Sequence, residues 1–202
     1  MVVAFMFSPS CASGREQSAS TRWSEITSTG KAKTPVVVGT FHGDVRMLEI
    51  QRRTVENALE DLERTSCGLV KLAVTWDFDP ELELLFRVVR GDNILMMTDS
   101  RTLIRWLGKE EGDHLLGLTR YSNSRWIFLV ADKLGEDTLL WEWVAAHEFS
   151  HAIGMDHIGV GLMEPNAPVF IVDRPSWERE DVAEFCRIWD CQPEMFFDCR
   201  FR

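Results

Sequence analysis

The chain has 202 residues, of which 45% are hydrophobic, enough for a single domain with its own core. Its 22 basic and 32 acidic residues give a formal net charge of -10. Phosphate binding requires basic patches, so this charge argues against nucleic acid as a partner. No apolar run reaches the roughly 18–20 residues that a membrane-spanning helix needs.

The composition of residues 1–34 predicts a signal-like leader and a disordered linker, which one folded domain over 35–202 follows. The first seven residues are apolar, and the segment after them is rich in Ser and Thr with almost no apolar pattern. This start resembles an export signal, with Cys11 as the candidate site of a lipid anchor. It has no basic residues before the apolar run, so an ordinary disordered N-terminus is the alternative. We expect a secreted or cell-surface protein, with a cytoplasmic location as the alternative.

The cysteines predict disulfide bonds. Without Cys11 four remain, which allows two bridges whose pairing the sequence alone does not give. Cys186, Cys191 and Cys199 lie close together, so a short local bridge and a second one to Cys67 are favoured. The spacing C-x4-C-x7-C is not a usual zinc pattern, which disfavours a second zinc site.

The apolar pattern of the domain alternates between strand and helix periods. It predicts strands over residues 36–38, 69–76, 93–98, 115–119 and 125–130. It predicts helices over residues 45–64, 139–154 and 176–189, with a short helix or loop over 102–107. Residues 39–44 are predicted to form a loop, and residues 81–90 are ambiguous between helix and strand. Asp44 and Ser176 are the candidate N-caps of the first and last helices.

The most informative stretch is His147-Glu148-x-x-His151-x-x-Gly154-x-x-His157. Side chains four residues apart share one face of a helix, so His147 and His151 can bind the same ion. A straight helix would carry His157 about 15 Å along its axis from His147, so the helix must end and the chain must turn back. Gly154 is placed to do this, because glycine accepts the left-handed conformation that ends helices. Three histidines and one water then form a catalytic zinc site with an open position.

This string, followed by a methionine in a later turn, is the mark of the metzincin clan of zinc proteases. Within that clan the chain most resembles the matrixins. The residues that carry the resemblance are Val144-Ala145-Ala146-His147-Glu148-Phe149, Ala152, Ile153-Gly154-Met155-Asp156-His157 and Leu162-Met163-x-Pro165. The resemblance covers roughly residues 35–190 and is highly specific only over 144–165. It implies an α/β (α+β) zincin fold: a twisted, mostly parallel mixed sheet with one antiparallel edge strand, a zinc helix, a Met-turn and a C-terminal helix.

The resemblance also implies an activity, that of a zinc-dependent endopeptidase acting on protein or peptide substrates. His147, His151 and His157 are the implied zinc ligands. Glu148 is the implied catalytic residue, which accepts a proton from the attacking water and passes it to the leaving amine. Met163 is expected to form an apolar floor below the histidines.

In this family the substrate lies antiparallel to the edge strand, here residues 115–119, through backbone hydrogen bonds. The implied substrate-binding residues are Leu116, Gly117 and Leu118 on that strand, with Asn166 and Ala167 in the loop after the Met-turn. Matrixins usually carry a tyrosine where this chain has Ala167. The pocket shape and the cleavage preference therefore do not carry over.

One catalytic zinc ion is expected, and calcium is the other ion that the resemblance implies. A second, structural zinc needs several histidines, and beyond the motif the chain has only His42 and His114, far apart in sequence. Asp132 stands where matrixins place a calcium-binding aspartate, although an aspartate that ends a strand is common. The single tyrosine, Tyr121, precedes the motif, so the extra tyrosine ligand that other metzincins carry near the Met-turn is missing.

Two other hypotheses are compatible with the motif. One is a catalytically narrow or inactive zinc-binding module that serves in protein binding, against which the intact Glu148 argues. The other is a cytosolic regulatory peptidase with reduced cysteines. The sequence does not predict the oligomeric state.

Overall fold

The structure is a computed structural model, and it describes residues 37–78, 92–108, 113–121, 125–168, 171, 173–194 and 196. The predicted leader over 1–34, the ambiguous segment 81–90, Cys11 and Cys199 lie outside the described residues. In the part that is described, no helix is both long enough and apolar enough to cross a lipid bilayer.

Within the described residues the chain forms a mixed α+β fold. The strands are β1 (Val37–Asp44), β2 (Val70–Phe78), β3 (Asn93–Thr98), β4 (Gly117–Tyr121) and β5 (Arg125–Val130). The α-helices are α1 (Glu49–Thr65), α2 (Ser100–Leu107), α3 (Ala131–Leu134), α4 (Thr138–Ala152) and α5 (Arg179–Trp189). A single 3-10 turn, Gly161–Met163, lies between α4 and α5. The predicted bounds of β3 and β5 are confirmed, and the segment predicted as a short helix or loop is helix α2.

The five strands form one sheet in the order β2-β1-β3-β5-β4. The pairs β2–β1, β1–β3 and β3–β5 are parallel, whereas β4 runs antiparallel to β5 at the edge of the sheet. Leu118 lies opposite Phe128 in this last pair, and neighbouring residues alternate between the two faces of the sheet. The predicted mixed sheet with one antiparallel edge strand is confirmed.

The main core lies where α1 and α4 pack against each other and against the sheet. Helix α1 buries a stripe at helical spacing, formed by Val55, Ala58, Leu59 and Leu62. Every side chain from 141 to 150 is buried, so α4 is covered all round its axis. The Phe41 and Phe149 rings meet edge to face with their centroids 4.9 Å apart, which fixes α4 against β1.

Two predictions for the region of strand β1 are wrong: the loop over residues 39–44 and the helix cap at Asp44. Strand β1 continues through residues 39–44, which were predicted to form a loop, because β1 lies inside the sheet and pairs with β2 and with β3. Asp44 does not cap the next helix. Its fully buried carboxylate accepts hydrogen bonds from the main chain and the guanidinium of Arg46 instead, and Leu48 is the N-cap.

The N-cap of the last helix lies two residues after the predicted one. The N-cap of α5 is Glu178 rather than Ser176. Asp181, at the third helical position, accepts a hydrogen bond from the Glu178 main-chain nitrogen at 2.8 Å. This capping box is a stronger start signal than a serine alone, because it satisfies main-chain donors from both sides.

The predicted local disulfide is confirmed between Cys186 and Cys191. It closes the turn after α5, where Asp190 adopts a left-handed conformation. Cys67, in the turn after α1, is also disulfide-bonded.

Candidate metal centre

Helix α4 positions two of the three histidines. Asp137 caps its start by accepting a hydrogen bond from the Leu140 main-chain nitrogen at 3.0 Å. The burial of α4 in the core fixes the rotation of this helix about its own axis. His147 and His151 therefore project from one face, a single turn apart.

Gly154 ends the helix in the way that its position in the motif predicts. Its φ of 102° is open to glycine and strained for other residues. The Gly154 nitrogen donates to the His151 carbonyl at 2.7 Å, and the Met155 nitrogen donates to the Ser150 carbonyl at 3.1 Å. These two bonds form a Schellman motif, which turns the chain back toward the helix and brings His157 to the other two histidines.

The three histidines converge on one point through their Nε2 atoms. The distances are 3.0 Å between His147 and His151, 3.1 Å between His151 and His157, and 3.2 Å between His147 and His157. His147 is buried, His151 is half-buried and His157 is exposed, so the cluster opens to solvent on one side. Among the described residues it is the one group of this kind that can hold a metal ion.

Main-chain carbonyls fix the tautomers of two of these rings. The Nδ1 atom of His147 lies 2.6 Å from the Leu162 oxygen, and that of His151 lies 2.7 Å from the Met155 oxygen. A carbonyl oxygen only accepts, so both Nδ1 atoms carry the hydrogen and both Nε2 atoms present a lone pair. Such outer hydrogen bonds orient histidine ligands in metal sites.

This donor set fits a divalent metal ion. Two unprotonated nitrogens only 3.0 Å apart repel each other unless a cation lies beside both. Nitrogens bound tetrahedrally at about 2.0–2.1 Å are about 3.3–3.4 Å apart, close to the spacing seen here. Imidazole suits zinc, copper, iron and nickel, so the geometry is compatible with zinc and does not identify it.

The environment keeps the rings in the form that binds metal. Burial, together with the neighbouring His151, lowers the pKa of His147 to about 3. Burial also lowers the pKa of His151 below its ordinary value. Both rings are therefore neutral near pH 7, as metal ligands must be.

Glu148 lies beside the cluster, and Thr119 binds its carboxyl group. Glu148 is 5% exposed, and this burial raises the pKa of its carboxyl to about 8, against the hydrogen bond from Thr119. The Thr119 hydroxyl lies 2.7 Å from Oε2 of Glu148 and 2.9 Å from its main-chain oxygen. Thr119 was not predicted as a site residue, although strand alternation from Gly117 puts it on the same face of β4.

Tyr121, at the end of β4, makes a similar contact one turn further along α4. Its hydroxyl donates to the main-chain oxygen of His151. The edge strand is thus joined to the last turn of the ligand helix by two hydroxyl groups.

The turn that carries Met163 contacts His147 through the neighbouring carbonyl of Leu162. Met163 is fully buried, at the end of the 3-10 turn. Asp181 of α5 holds this turn, because its carboxylate accepts from the Leu162 nitrogen at 3.0 Å and from the Met163 nitrogen at 3.1 Å. Helix α5 thereby supports the acceptor of His147.

Replacing Asp181 with asparagine is expected to destabilise the fold by about 1–3 kcal/mol. An amide oxygen in place of Oδ2 keeps the bonds from Leu162 and Glu178, but the amide nitrogen then faces the Met163 N–H. Chemical denaturation measures the change. The control is Glu180→Gln, an exposed neighbour expected to stay within about 0.5 kcal/mol. Equal stabilities of the two variants would contradict this role of Asp181.

The residues predicted to bind substrate do not all gather at the cluster. Gly117 is buried against Glu148, whereas the half-buried Leu118 packs in a smaller core with Phe128. The main-chain oxygen of Leu116 accepts from Val130 at 2.9 Å. Asn166 and Ala167 lie in the loop after the Met-turn, part of which is outside the described residues. Asn166 is exposed, and Ala167 is half-buried against the core.

Substituting Gly117 with alanine is expected to displace Glu148 or the edge strand. An added Cβ would lie 2.7 Å from Cγ and Oε1 of Glu148 and 2.8 Å from Cγ1 of Val144. Overpacking of this kind costs about 1–3 kcal/mol. We expect a lower denaturation midpoint, and an unchanged midpoint would contradict the close approach.

The other residues considered for metal binding lie apart from the cluster. Asp132 accepts from the main chain and the hydroxyl of Ser100, at the start of α2. His42 lies 3.6 Å from the carboxylate of Asp92, and His114 is exposed.

The chain matches no protein-family model and no curated protein.

Proposed function

We propose that the chain is a zinc-dependent endopeptidase of the metzincin type, most similar to the matrixins. The observation that carries this proposal is the convergence of three Nε2 atoms, within 3.0–3.2 Å of one another, beside a buried glutamate. The order of the strands, the antiparallel edge strand and the buried methionine turn support the same family.

Zinc is the ion that the proposal assigns to the site. His147, His151 and His157 would hold it, and three protein ligands leave a fourth position for water or substrate. Structural zinc sites are instead closed by four protein ligands. The open side at His157 therefore favours a catalytic role.

The reaction proposed is hydrolysis of a peptide bond. When bound, zinc supplies Lewis acidity, which polarises a carbonyl group and makes a water molecule more acidic. In its ionised form, Glu148 takes the proton of the attacking water on Oε1 and then releases it to the leaving nitrogen. Its other oxygen, Oε2, accepts a hydrogen bond from Thr119.

An extended peptide is the proposed substrate, bound along β4. In the described part of the chain, β4 pairs with β5 on one side only, so main-chain groups on its other side can pair with a peptide. The strand lies against α4 at Glu148, so a peptide bound there would lie beside the proposed metal centre. The loop 166–170 would select the side chains of the substrate, and the described residues cover this loop only in part.

The test is hydrolysis of a broad quenched-fluorescent peptide library by the full chain carrying one zinc ion. We expect cleavage that a chelator abolishes and that one equivalent of zinc restores. Cleavage that persists without metal would contradict the proposal. An absence of cleavage with one zinc per chain would favour the alternative of a zinc-binding module that serves in protein binding.

A further inference from the structure

Three alternate residues of the edge strand face the metal helix: Gly117, Thr119 and Tyr121. Gly117 approaches Val144 and Glu148, Thr119 contacts Glu148, and Tyr121 contacts the carbonyl of His151. The contacts advance along α4 in the same direction as along β4. The strand proposed to bind the peptide is therefore also the strand that packs on the proposed catalytic residue.

Thr119 is the side chain of this set that hydrogen-bonds the Glu148 carboxyl group. Its hydroxyl stands between Oε2, at 2.7 Å, and the main-chain oxygen of the same residue, at 2.9 Å. Both distances are those of good O–H···O hydrogen bonds, so the one hydroxyl proton can serve either acceptor. The contact fixes the side chain of Glu148 relative to its own main chain.

Gly117 completes the arrangement on the other side of the carboxyl group. The space that a Cβ at position 117 would take is occupied by Cγ and Oε1 of Glu148, each 2.7 Å from that point. The carboxyl group thus lies over the bare main chain of Gly117, with Oε2 directed to Thr119. Glu148 is held in one orientation by a glycine and a hydroxyl group two residues apart.

We propose that Thr119 is a positioning residue for Glu148. The Thr119 hydroxyl holds Oε2 of Glu148 and leaves Oε1 of the same carboxyl group to take the proton that moves in the reaction. This inference rests on the proposed peptidase function. It adds a residue outside the metal-binding motif to the catalytic arrangement. A displacement of about 1 Å in a reacting group can cost about 100-fold in rate, so loss of this hydrogen bond should be visible in kcat.

The kinetic test uses a peptide that the zinc-loaded full chain cleaves, taken from the quenched-fluorescent library. Thr119→Val removes the hydroxyl at nearly constant volume, and Thr119→Ser keeps it. We expect the valine variant to lose about 10- to 100-fold in kcat with KM within about 2-fold and one zinc still bound. The serine variant should recover most of the rate.

Tyr121→Phe is the matched control. It removes a hydroxyl from the same face of the same strand, and that hydroxyl binds main chain rather than the carboxyl group. Its loss of kcat should be smaller than that of Thr119→Val. Equal losses in the two variants would show a general effect of the strand and would overturn the inference.

A second readout needs neither metal nor turnover. In metal-free protein, Thr119→Val, Glu148→Leu and the double variant form a cycle measured by denaturation midpoints, because leucine removes the oxygen that accepts from Thr119. We expect the shift of the midpoint in the double variant to differ clearly from the sum of the two single shifts, because the two side chains are in contact. Additive shifts would overturn the inference.

The outcomes separate the inference from the function on which it rests. Cleavage by the wild-type chain that Thr119→Val leaves unchanged overturns the inference and keeps the peptidase. No cleavage by the zinc-loaded wild-type chain overturns the peptidase, and the positioning role of Thr119 with it.

Discussion

Replacing His157 with alanine is expected to remove stoichiometric zinc binding and peptide cleavage together. His157 supplies one of three nitrogens that lie 3.0–3.2 Å apart, and its loss leaves two ligands. Loss of an outer hydrogen-bond partner alone costs about 10- to 100-fold in metal affinity, so loss of a ligand should exceed about 100-fold. His157 is the most exposed of the three, so this variant disturbs the core least.

Zinc titration against a competing chelator measures this effect. The control is His114→Ala, which removes an exposed histidine outside the cluster and should bind zinc as the wild type does. A His157→Ala chain that still held one zinc ion at wild-type affinity would show that the metal is bound elsewhere.

The second large effect is expected for Glu148→Gln, which should keep zinc and lose about 100- to 10,000-fold in kcat. The amide has the shape of the carboxyl group, and its oxygen can still accept from Thr119, but it cannot take a proton from water. The zinc ligands are unchanged, so the zinc content should remain at one per chain. The loss should therefore be in turnover and not in metal binding.

Glu142→Gln is the control for this variant. Glu142 lies on the same helix and is also 5% exposed, but it accepts a hydrogen bond from Asn57 of α1 at 3.0 Å. We expect its kcat to stay close to that of the wild type. Comparable rates for Glu148→Gln and Glu142→Gln would refute the catalytic role of Glu148.

The metal cluster was predictable because its geometry is local. The four-residue spacing of His147 and His151 sets a shared helix face, and Gly154 can adopt the positive φ that turns the chain back. Strands β3 and β5 were predictable for a similar reason, since each is a short apolar run between turn residues.

The remainder depends on contacts that no local pattern encodes. Residues 39–44 carry Gly39, Gly43 and polar side chains that indicate a loop, yet pairing on both sides keeps them in β1. Thr119 is an ordinary strand residue until β4 is placed against α4. Asp181 was not predicted as a site residue, and its role in holding the Met163 turn appears once α5 is packed against that turn.

The most direct test of the central claim is mass spectrometry of peptide products formed in ¹⁸O-labelled water. The zinc-loaded full chain and its Glu148→Gln variant are compared, each with one zinc per chain. We expect internal cleavage by the wild type, with one ¹⁸O atom in each new carboxyl group, and almost none by the variant. Unlabelled products, or equal labelled cleavage by both chains, would contradict a glutamate-assisted hydrolysis at the three-histidine centre.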